Sequence, residues 1–219
     1  MAAALAGCAQ GPRRAASSED PCNPVVGAVI GGVAGAMLGG ERHRTQGALV
    51  GAGLGALACV AYNYRTAQTK TAQQVGDEYR KANNDQLPPA PLVTAYRTEA
   101  TRPTAKGGDD VTVRSTIEVV PGAKEPLREL REEFVVVDPA GVERSKIAKT
   151  PAPAGAGGGA YVSTLQFTFP KGVPPGEYQV QSRLYVNGVA AKSSAVRIQV
   201  ARRAAGDTAV AALERAGVR

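Results

Sequence analysis

Glycine recurs every fourth residue through two apolar arms of this chain, and each arm lacks charged side chains. The stretch runs from Val25 to Tyr64 and reads VVGAVIGGVAGAMLGG, then ERHRTQ, then GALVGAGLGALACVAYNY. The periodic glycines are Gly27, Gly31, Gly35, Gly39, Gly47, Gly51 and Gly55. In water so much glycine costs a helix backbone entropy. In lipid the backbone must satisfy its own hydrogen bonds, so a helix is favoured there.

The period predicts a helical hairpin with a bare groove along each arm. Another helix can approach such a groove backbone to backbone. Each arm has about sixteen residues, which at about 1.5 Å per residue gives roughly 24 Å. This is short for a span of about 20 apolar residues, but it suits a thinner bilayer such as a bacterial outer membrane. A tightly packed soluble hairpin and a flexible Gly/Ala linker are the alternatives, although linkers carry Ser, Thr, Pro or charge rather than Val, Ile and Leu.

Residues 22–66 resemble the glycine-zipper family of bacterial outer-membrane lipoproteins, of the rickettsial surface-antigen type. The resemblance rests on the doubled run of small residues at a period of four. It implies a protein that supports the integrity of the cell envelope. The expected partners are the bacterial outer membrane and further copies of the chain, which form a homo-oligomer through the glycine faces.

The N-terminus carries a lipoprotein signature. Leu5-Ala6-Gly7-Cys8 matches the lipobox, in which a cysteine receives a diacylglyceryl group and the chain is cut before it. Residues 1–7 are then the remnant of a signal whose start lies upstream of Met1 or has been trimmed, because a secretory signal needs a longer apolar region. We expect one covalent modification, the acylation of Cys8, and we expect no cofactor. In lipoproteins of this class, a residue other than Asp after the lipidated cysteine implies sorting to the outer membrane. Because Ala9 follows Cys8, we expect an outer-membrane lipoprotein with its C-terminal domain in the periplasm. A chance match in an Ala-rich start is the alternative.

Two further cysteines flank the hairpin. Residues 8–24 form a polar tether, in which Cys22 precedes the first arm, and Cys59 lies near the end of the second. An antiparallel hairpin brings these positions toward each other, and an exported compartment permits a disulfide. We expect either a Cys22–Cys59 bond or two unpaired thiols. His43, the single histidine, lies in the charged turn and is expected to be solvated.

Residues 65–89 predict a helical stalk and linker. The sequence RTAQTKTAQQVGDEYRKANNDQ has a thin apolar stripe, which favours a helix running out of the second arm to about Asn84. The following Leu87-Pro88-Pro89 is expected to end it. In this prediction the helix separates the hairpin from the next domain.

From residue 90 to residue 201 the apolar period becomes two, which is typical of half-buried strands. In VTVRSTIEVV, the side chains of Val111, Val113, Ser115, Ile117 and Val119 share one face. Asn187-Gly188 is the strongest two-residue hairpin signal. About seven short strands at regular spacing predict a β-sandwich.

The segment FTFPKGVPPGEYQV resembles the tyrosine corner of immunoglobulin-like sandwiches, with Tyr178 as the corner residue. The resemblance implies an immunoglobulin-like domain without the antibody disulfide. The fold class predicted for the whole chain is therefore α+β in several parts: a glycine-zipper α-helical hairpin at residues 25–64, followed by an immunoglobulin-like β-sandwich. Residues 202–219 form a basic tail, which either frays or contacts an anionic surface.

The remaining composition argues against other classes. The net charge is +7, but the Lys and Arg residues are scattered among Glu and lack an aromatic platform, so nucleic acid is not expected as a partner. No catalytic constellation or metal-ligand spacing is present, and we expect no enzyme and no metal site. Glu132 and Glu133 are neighbours on a strand and therefore point to opposite faces.

Three functional hypotheses remain. The first is a structural outer-membrane lipoprotein whose hairpin inserts and oligomerises. The second is a periplasmic adaptor or binding module of a secretion, pilus or surface assembly, which binds an envelope protein through exposed strand edges and the outward Tyr185. The third, a self-assembled pore, follows from the same hairpin.

Overall fold

The computed structural model describes residues 50–58, 60–153 and 155–202. Within these ranges two β-sheets pack face to face and two helices flank them. Helix α1 comprises residues 50–57, and helix α2 comprises Ala72–Ala82. The strands are β1 (Asn63–Lys70), β2 (Leu92–Ala100), β3 (Thr104–Lys106), β4 (Asp110–Val120), β5 (Leu130–Val137), β6 (Glu143–Lys149), β7 (Gly159–Thr168), β8 (Gly176–Val186) and β9 (Val189–Ala201).

Sheet A has the strand order β1-β7-β4-β2, and sheet B has the order β3-β9-β8-β5-β6. Neighbouring strands are antiparallel, except that β3 runs parallel to the end of β9. Hydroxyl groups join the two sheets at both edges. On one edge Tyr62 donates a hydrogen bond to Ser145 Oγ at 2.6 Å, and on the other Thr98 donates to Ser194 Oγ at 2.6 Å. The predicted β-sandwich is therefore confirmed as two packed sheets.

Strand β4 shows why the alternating pattern forms a sandwich. All five positions predicted to share one face are buried, while Arg114 and Thr116 between them are exposed. Each inward side chain removes apolar surface from water at about 25 cal/mol per Å². The period of two thus fixes the register, because a shift by one residue would turn this face to solvent.

The turn between β8 and β9 also matches its sequence signal. Asn187 and Gly188 both have positive φ, at 50° and 83°. These values fit a two-residue type I′ turn, which asparagine and glycine tolerate best. The Asn187 side chain adds a second role, since its Oδ1 accepts hydrogen bonds from the amides of Arg128 and Glu129 at 2.8 and 3.2 Å.

The region after the second arm differs from the predicted stalk. Helix α1 ends at Leu57 rather than at Tyr64, and residues 63–70 form strand β1, paired with β7. Tyr62 and Tyr64 explain the difference, because both pack against the core and a strand can place alternate residues on one face. The predicted helix exists only as α2.

Helix α2 covers one end of the sandwich. It begins with a capping box between Thr71 and Gln74. Its apolar stripe places Val75 and Tyr79 against Val120 and Ala160. The thin stripe therefore identifies a helix that packs on the sandwich and not a solvated spacer.

Besides the small cluster beneath α2, the interior contains two larger apolar clusters. One cluster lies at the end near α1 and contains Phe134, Phe167 and Phe169. The other lies toward α2 and contains Ile117 and Tyr161. Between them runs a layer of buried polar residues, Ser115, Glu132, Ser163 and Ser182, one from each of β4, β5, β7 and β8. We call this set the polar layer.

Candidate functional site at the helix junction

Helix α1 packs on the sandwich through Gly53 and Leu57. A Cβ placed on Gly53 would lie 2.1 Å from the carbonyl carbon of Gly172, so the helix backbone lies directly on the loop between β7 and β8. Leu57, one turn later, is fully buried in the cluster near α1. Val50 at the other end is 40% exposed. We call this contact of Gly53 and Leu57 with the sandwich, together with the segment that leads to Asn63, the helix junction.

The contacts of Gly53 and Leu57 with the sandwich lie on one side of α1. Gly53 and Leu57 are four residues apart and share a face. With 3.6 residues per turn, Gly51 and Gly55 each lie about 200° around the helix from Gly53. The periodic glycines are therefore turned away from the face that packs on the sandwich.

The segment after α1 is anchored by two aromatic side chains. The ring of Tyr62 lies 5.5 Å from that of Phe167, and the ring of Tyr64 lies 6.4 Å from that of Phe134. The remaining pairs of this aromatic cluster are Phe167–Phe169 at 5.4 Å and Phe169–Tyr178 at 5.0 Å. Each pair adds about 0.5–1.5 kcal/mol beyond its buried area. Strand β1 is thus held by the core that receives Leu57.

Tyr64 also reaches the polar layer, where Glu132 is fully buried. Tyr64 and Tyr96 donate hydrogen bonds to the Glu132 carboxyl at 3.3 and 3.1 Å. Ser163 donates a third at 2.7 Å. Since β1 and β2 are the two edge strands of sheet A, this one carboxyl of sheet B binds both edges.

Burial sets the protonation of this cluster. Desolvation raises the pKa of Glu132, and the hydrogen bonds from Ser163, Tyr96 and Tyr64, together with the nearby Ser115 hydroxyl, offset only part of that rise. The Ser115 hydroxyl is itself buried, and its geometry falls short of a hydrogen bond within the described residues. Burial, and then the Glu132 charge, raises the pKa of both tyrosines, so they remain neutral donors.

A second buried acid fixes the loop next to the junction. Asp138 accepts hydrogen bonds from the amides of Ala140 and Val142, each at 2.9 Å, and pairs with Arg144 at 2.6 Å. Burial alone would raise its pKa, but these contacts together lower it. Asp138 is therefore a structural carboxylate that closes the turn between β5 and β6.

The helix that ends in this junction belongs to a longer pattern. Residues 25–58 match the family model of the glycine zipper 2TM domain. The zipper supports a membrane-associated structural role for this part of the chain. Among curated proteins, none matches the chain.

Three solved structures that resemble this chain give no functional argument, because their TM-scores are below 0.5. They include the N-terminal domain of the Streptococcus gordonii adhesin Sgo0707 (TM-score 0.38, 14% identity, 53% of this chain and 33% of that one). The DNA glycosylase AlkC of Pseudomonas fluorescens, bound to DNA with an abasic site analog, gives 0.33, 15%, 50% and 30%. CopC of Methylosinus trichosporium OB3b gives 0.30, 11%, 52% and 96%. This chain thus covers about a third of the first two proteins.

Most residues predicted for function lie outside the described ranges. These are the lipidation candidate Cys8, the disulfide candidates Cys22 and Cys59, the turn residue His43, the basic tail beyond Arg202, and the zipper glycines Gly27, Gly31, Gly35, Gly39 and Gly47. Gly51 and Gly55 are described and lie in α1. Among the described helices, none has the length and apolar character needed to cross a membrane.

The tyrosine-corner candidate Tyr178 is fully buried near the start of β8. Its hydroxyl donates a hydrogen bond to the carbonyl of Pro174, four residues upstream, at 3.0 Å. Burial, and then the Asp138 charge, raises the pKa of Tyr178, so the phenol stays a donor. The contact ties β8 to the loop on which α1 rests.

Replacing Tyr178 by phenylalanine is expected to lower the unfolding free energy by about 1 kcal/mol, the net value of a typical intramolecular hydrogen bond. Thermal unfolding of the full chain in detergent would measure it, as a fall in Tm of about 2–4 °C. Tyr185→Phe on the outer face of sheet B is the control, since its hydroxyl makes only an exposed 3.4 Å contact. Equal effects of the two changes would contradict a corner role.

The outer face of sheet B carries the other candidate surface. The Arg131 guanidinium lies 4.0 Å from the centre of the Tyr185 ring. Glu133 points outward beside it and pairs with Lys146 at 3.1 Å. A groove of about 370 Å³ opens here, lined by charged and hydroxyl side chains that include Glu143, Arg183 and Ser193. Within the described residues, no cluster of three or more His, Cys, Asp or Glu side chains is placed to hold a metal ion.

Sequence reasoning missed Gly53, Leu57 and Glu132 as parts of this site. Gly53 lies off the four-residue period, so only a contact in three dimensions shows its use. The sequence does contain a signal for Glu132. Since alternate residues of a strand share a face, the apolar Leu130 and Phe134 place position 132 on the inner face of β5. Glu132 and Glu133 point to opposite faces, as the strand period predicts.

Proposed function

We propose that this chain is a non-enzymatic outer-membrane lipoprotein that supports envelope structure. Its glycine-zipper hairpin inserts in the membrane and oligomerises through the glycine faces, with an acyl anchor on Cys8. Its sandwich, which we take to be immunoglobulin-like, stands in the periplasm. The zipper match at residues 25–58 and the lipobox sequence support this proposal.

One observation carries it: the two opposite faces of α1. The face with Gly53 and Leu57 is occupied by the sandwich. The periodic glycines lie on the other face, where a bare backbone groove favours close contact with another helix. A helix that served only to attach the sandwich would need the first face alone.

The helix junction also indicates that the sandwich is joined to the zipper by a short, packed connection and not by a long tether. Because Leu57 lies in the core and β1 begins at Asn63, only a short segment separates the zipper from the sandwich. Movements of the zipper are then passed to the sandwich through packed backbone rather than through a flexible linker. An assembly of zippers would therefore arrange the sandwiches in a fixed geometry.

The double change Gly51→Leu and Gly55→Leu tests the oligomer. Two large side chains fill the groove, so we expect the detergent-solubilised assembly to fall to smaller species in light scattering after gel filtration. The Tm of the sandwich should change by less than about 2 °C, because both positions face away from it. The control is Ala52→Leu, which enlarges a position that already carries a Cβ. An assembly of unchanged size in the double variant would refute oligomerisation through this face.

Membrane attachment is tested separately by fractionating cells. The proposal requires that the protein leaves the membrane with detergent but not with high salt. Cys8→Ser should weaken retention, since one acyl chain contributes about 0.8 kcal/mol per buried CH₂ group. Release of the wild-type protein by salt alone would count against both the anchor and the inserted hairpin.

The second candidate function is a periplasmic adaptor that binds an envelope protein through its sandwich. The outer face of sheet B favours it, because Arg131, Tyr185 and the adjacent groove form a polar surface with an aromatic side chain. Arginine and tyrosine are frequent in binding surfaces. Copurification separates the two functions: a stoichiometric unrelated partner, lost on Tyr185→Ala, would favour the adaptor.

A further inference from the structure

Glu132 is surrounded by neutral hydroxyl groups from every element that faces it. The facing groups are Tyr64 from β1, Tyr96 from β2, Ser115 from β4 and Ser163 from β7, with Ser182 from β8 beyond Tyr96. The tyrosines are the titratable members, and burial keeps them neutral by raising their pKa values. Among the described residues, this carboxyl has hydroxyl donors around it and no cation paired with it.

The charged side chains next to Glu132 on β5 point the other way. Glu133 pairs with Arg131 at 3.5 Å and with Lys146 at 3.1 Å on the outer face. Among the described residues, Glu133 therefore has cationic partners, whereas Glu132 forms no ion pair. A buried carboxylate without a cation is costly, and the group tends to hold a proton instead.

We propose that Glu132 is a proton-sensitive latch: in its protonated form it holds β1 and β2 firmly against sheet B, and its ionisation loosens both edge strands. The latch lies in the sandwich and does not depend on insertion or oligomerisation of the zipper. It reaches the zipper through Tyr64, because β1 is the strand that follows α1. A rise in pH would then weaken the grip on the segment that joins zipper and sandwich.

The sign follows from the direction of the shift. The ordinary pKa of 4.5 applies in the unfolded chain, and burial raises the pKa of Glu132 above this in the folded protein. The folded state therefore binds the proton more tightly. Stability from this group is fully present below pH 4.5 and is lost as the pH rises through the folded-state pKa.

The experiment compares the full chain in detergent with its Glu132→Gln variant, which keeps hydrogen-bonding groups but cannot ionise. Thermal unfolding is measured from pH 4.5 to pH 8. We expect the wild-type Tm to fall, relative to the variant, by about 3–5 °C for each unit of raised pKa. The exposed Glu143→Gln on β6 is the control and should follow the wild type. His43 is common to all these proteins, so its titration cancels in the comparison.

Tyr64→Phe sharpens the test. This change removes a donor that lowers the pKa of Glu132, so that pKa rises further and the fall in Tm should extend to higher pH and grow larger. Hydrogen exchange, corrected for the intrinsic pH dependence, should show faster opening of β1 and β2 at pH 8 in the wild type but not in Glu132→Gln. A purely structural role for Glu132 would not give exchange that depends on pH in this way.

Two results would overturn the latch. One is the same Tm profile for wild type and Glu132→Gln across the range. The other is a Glu132 carboxyl that titrates at or below pH 4.5 in the folded wild type, followed by carbon NMR. The second measurement needs no variant, so it decides the matter even if Glu132→Gln does not fold.

Discussion

Replacing Gly53 by alanine is expected to destabilise this protein, although the same change stabilises an ordinary exposed helix by about 0.8–1.0 kcal/mol. The reason is the contact with the loop. The new methyl carbon would lie 2.1 Å from the Gly172 carbonyl carbon, 2.2 Å from its oxygen and 2.6 Å from the Val173 nitrogen. All three are backbone atoms, so no side chain can rotate away. Helix α1 must shift, and Leu57 is withdrawn from the core.

We expect a net loss of about 2–4 kcal/mol in the unfolding free energy, because withdrawing a buried leucine costs about as much as truncating it. Chemical denaturation of the full chain in detergent would measure this loss. Gly55→Ala is the matched control: it is two residues away, faces away from the sandwich, and has the same gain in helix propensity. A gain in the unfolding free energy of Gly53→Ala, instead of a loss, would show that α1 does not pack on the loop.

A second readout separates undocking from general instability. If α1 leaves the loop, the segment between Leu57 and Asn63 becomes accessible to a protease before the sandwich unfolds. Cleavage near Tyr62 should therefore be faster in Gly53→Ala than in Gly55→Ala under native conditions. Equal cleavage rates would mean that the junction stays closed and that the lost stability has another source.

The sandwich strands were predictable from sequence because the alternating pattern is local. In β4 a single run of eleven residues carries its own inward face, and the Asn187-Gly188 turn fixes its backbone through residue type alone. Neither requires knowledge of a partner strand. The zipper is predictable for the same reason, since its period is contained in one stretch of sequence.

Strand β1 was not predictable because its state depends on distant residues. RTAQTK is polar and compatible with a helix, and its pattern carries no apolar face of its own. This segment forms a strand because it pairs with β7 and because the ring of Tyr64 contacts that of Phe134. Tertiary context overrides weak local propensity in such segments.

The candidate site shows the same division. The pattern of β5 places Glu132 inside, but it cannot show that tyrosines from two edge strands converge on the carboxyl. These contacts join residues 36 and 68 positions apart in the chain. The contact of Gly53 with Gly172 likewise joins two elements whose approach has no local signal.

Replacing Phe169 by alanine is expected to cost about 3–5 kcal/mol, the range for truncating a fully buried aromatic side chain. Phe169 connects the two halves of the aromatic cluster, because its ring lies 5.4 Å from Phe167 and 5.0 Å from Tyr178. The cavity would open in the cluster that also receives Leu57. A fall in Tm of roughly 10 °C should follow in thermal unfolding.

The comparison of Phe169→Ala with Phe169→Leu separates the stability that comes from filling the cavity from the stability that comes from the contact between aromatic rings. Leucine refills much of the volume and should recover more than half of the stability, but it cannot make the edge contact with Tyr178. Val189→Ala, at a position that is 70% exposed, should stay within about 0.5 kcal/mol of the wild type. If Phe169→Ala changed the Tm no more than Val189→Ala does, the core next to α1 would not be packed as described. The junction would then lack the rigid base that joins the zipper to the sandwich.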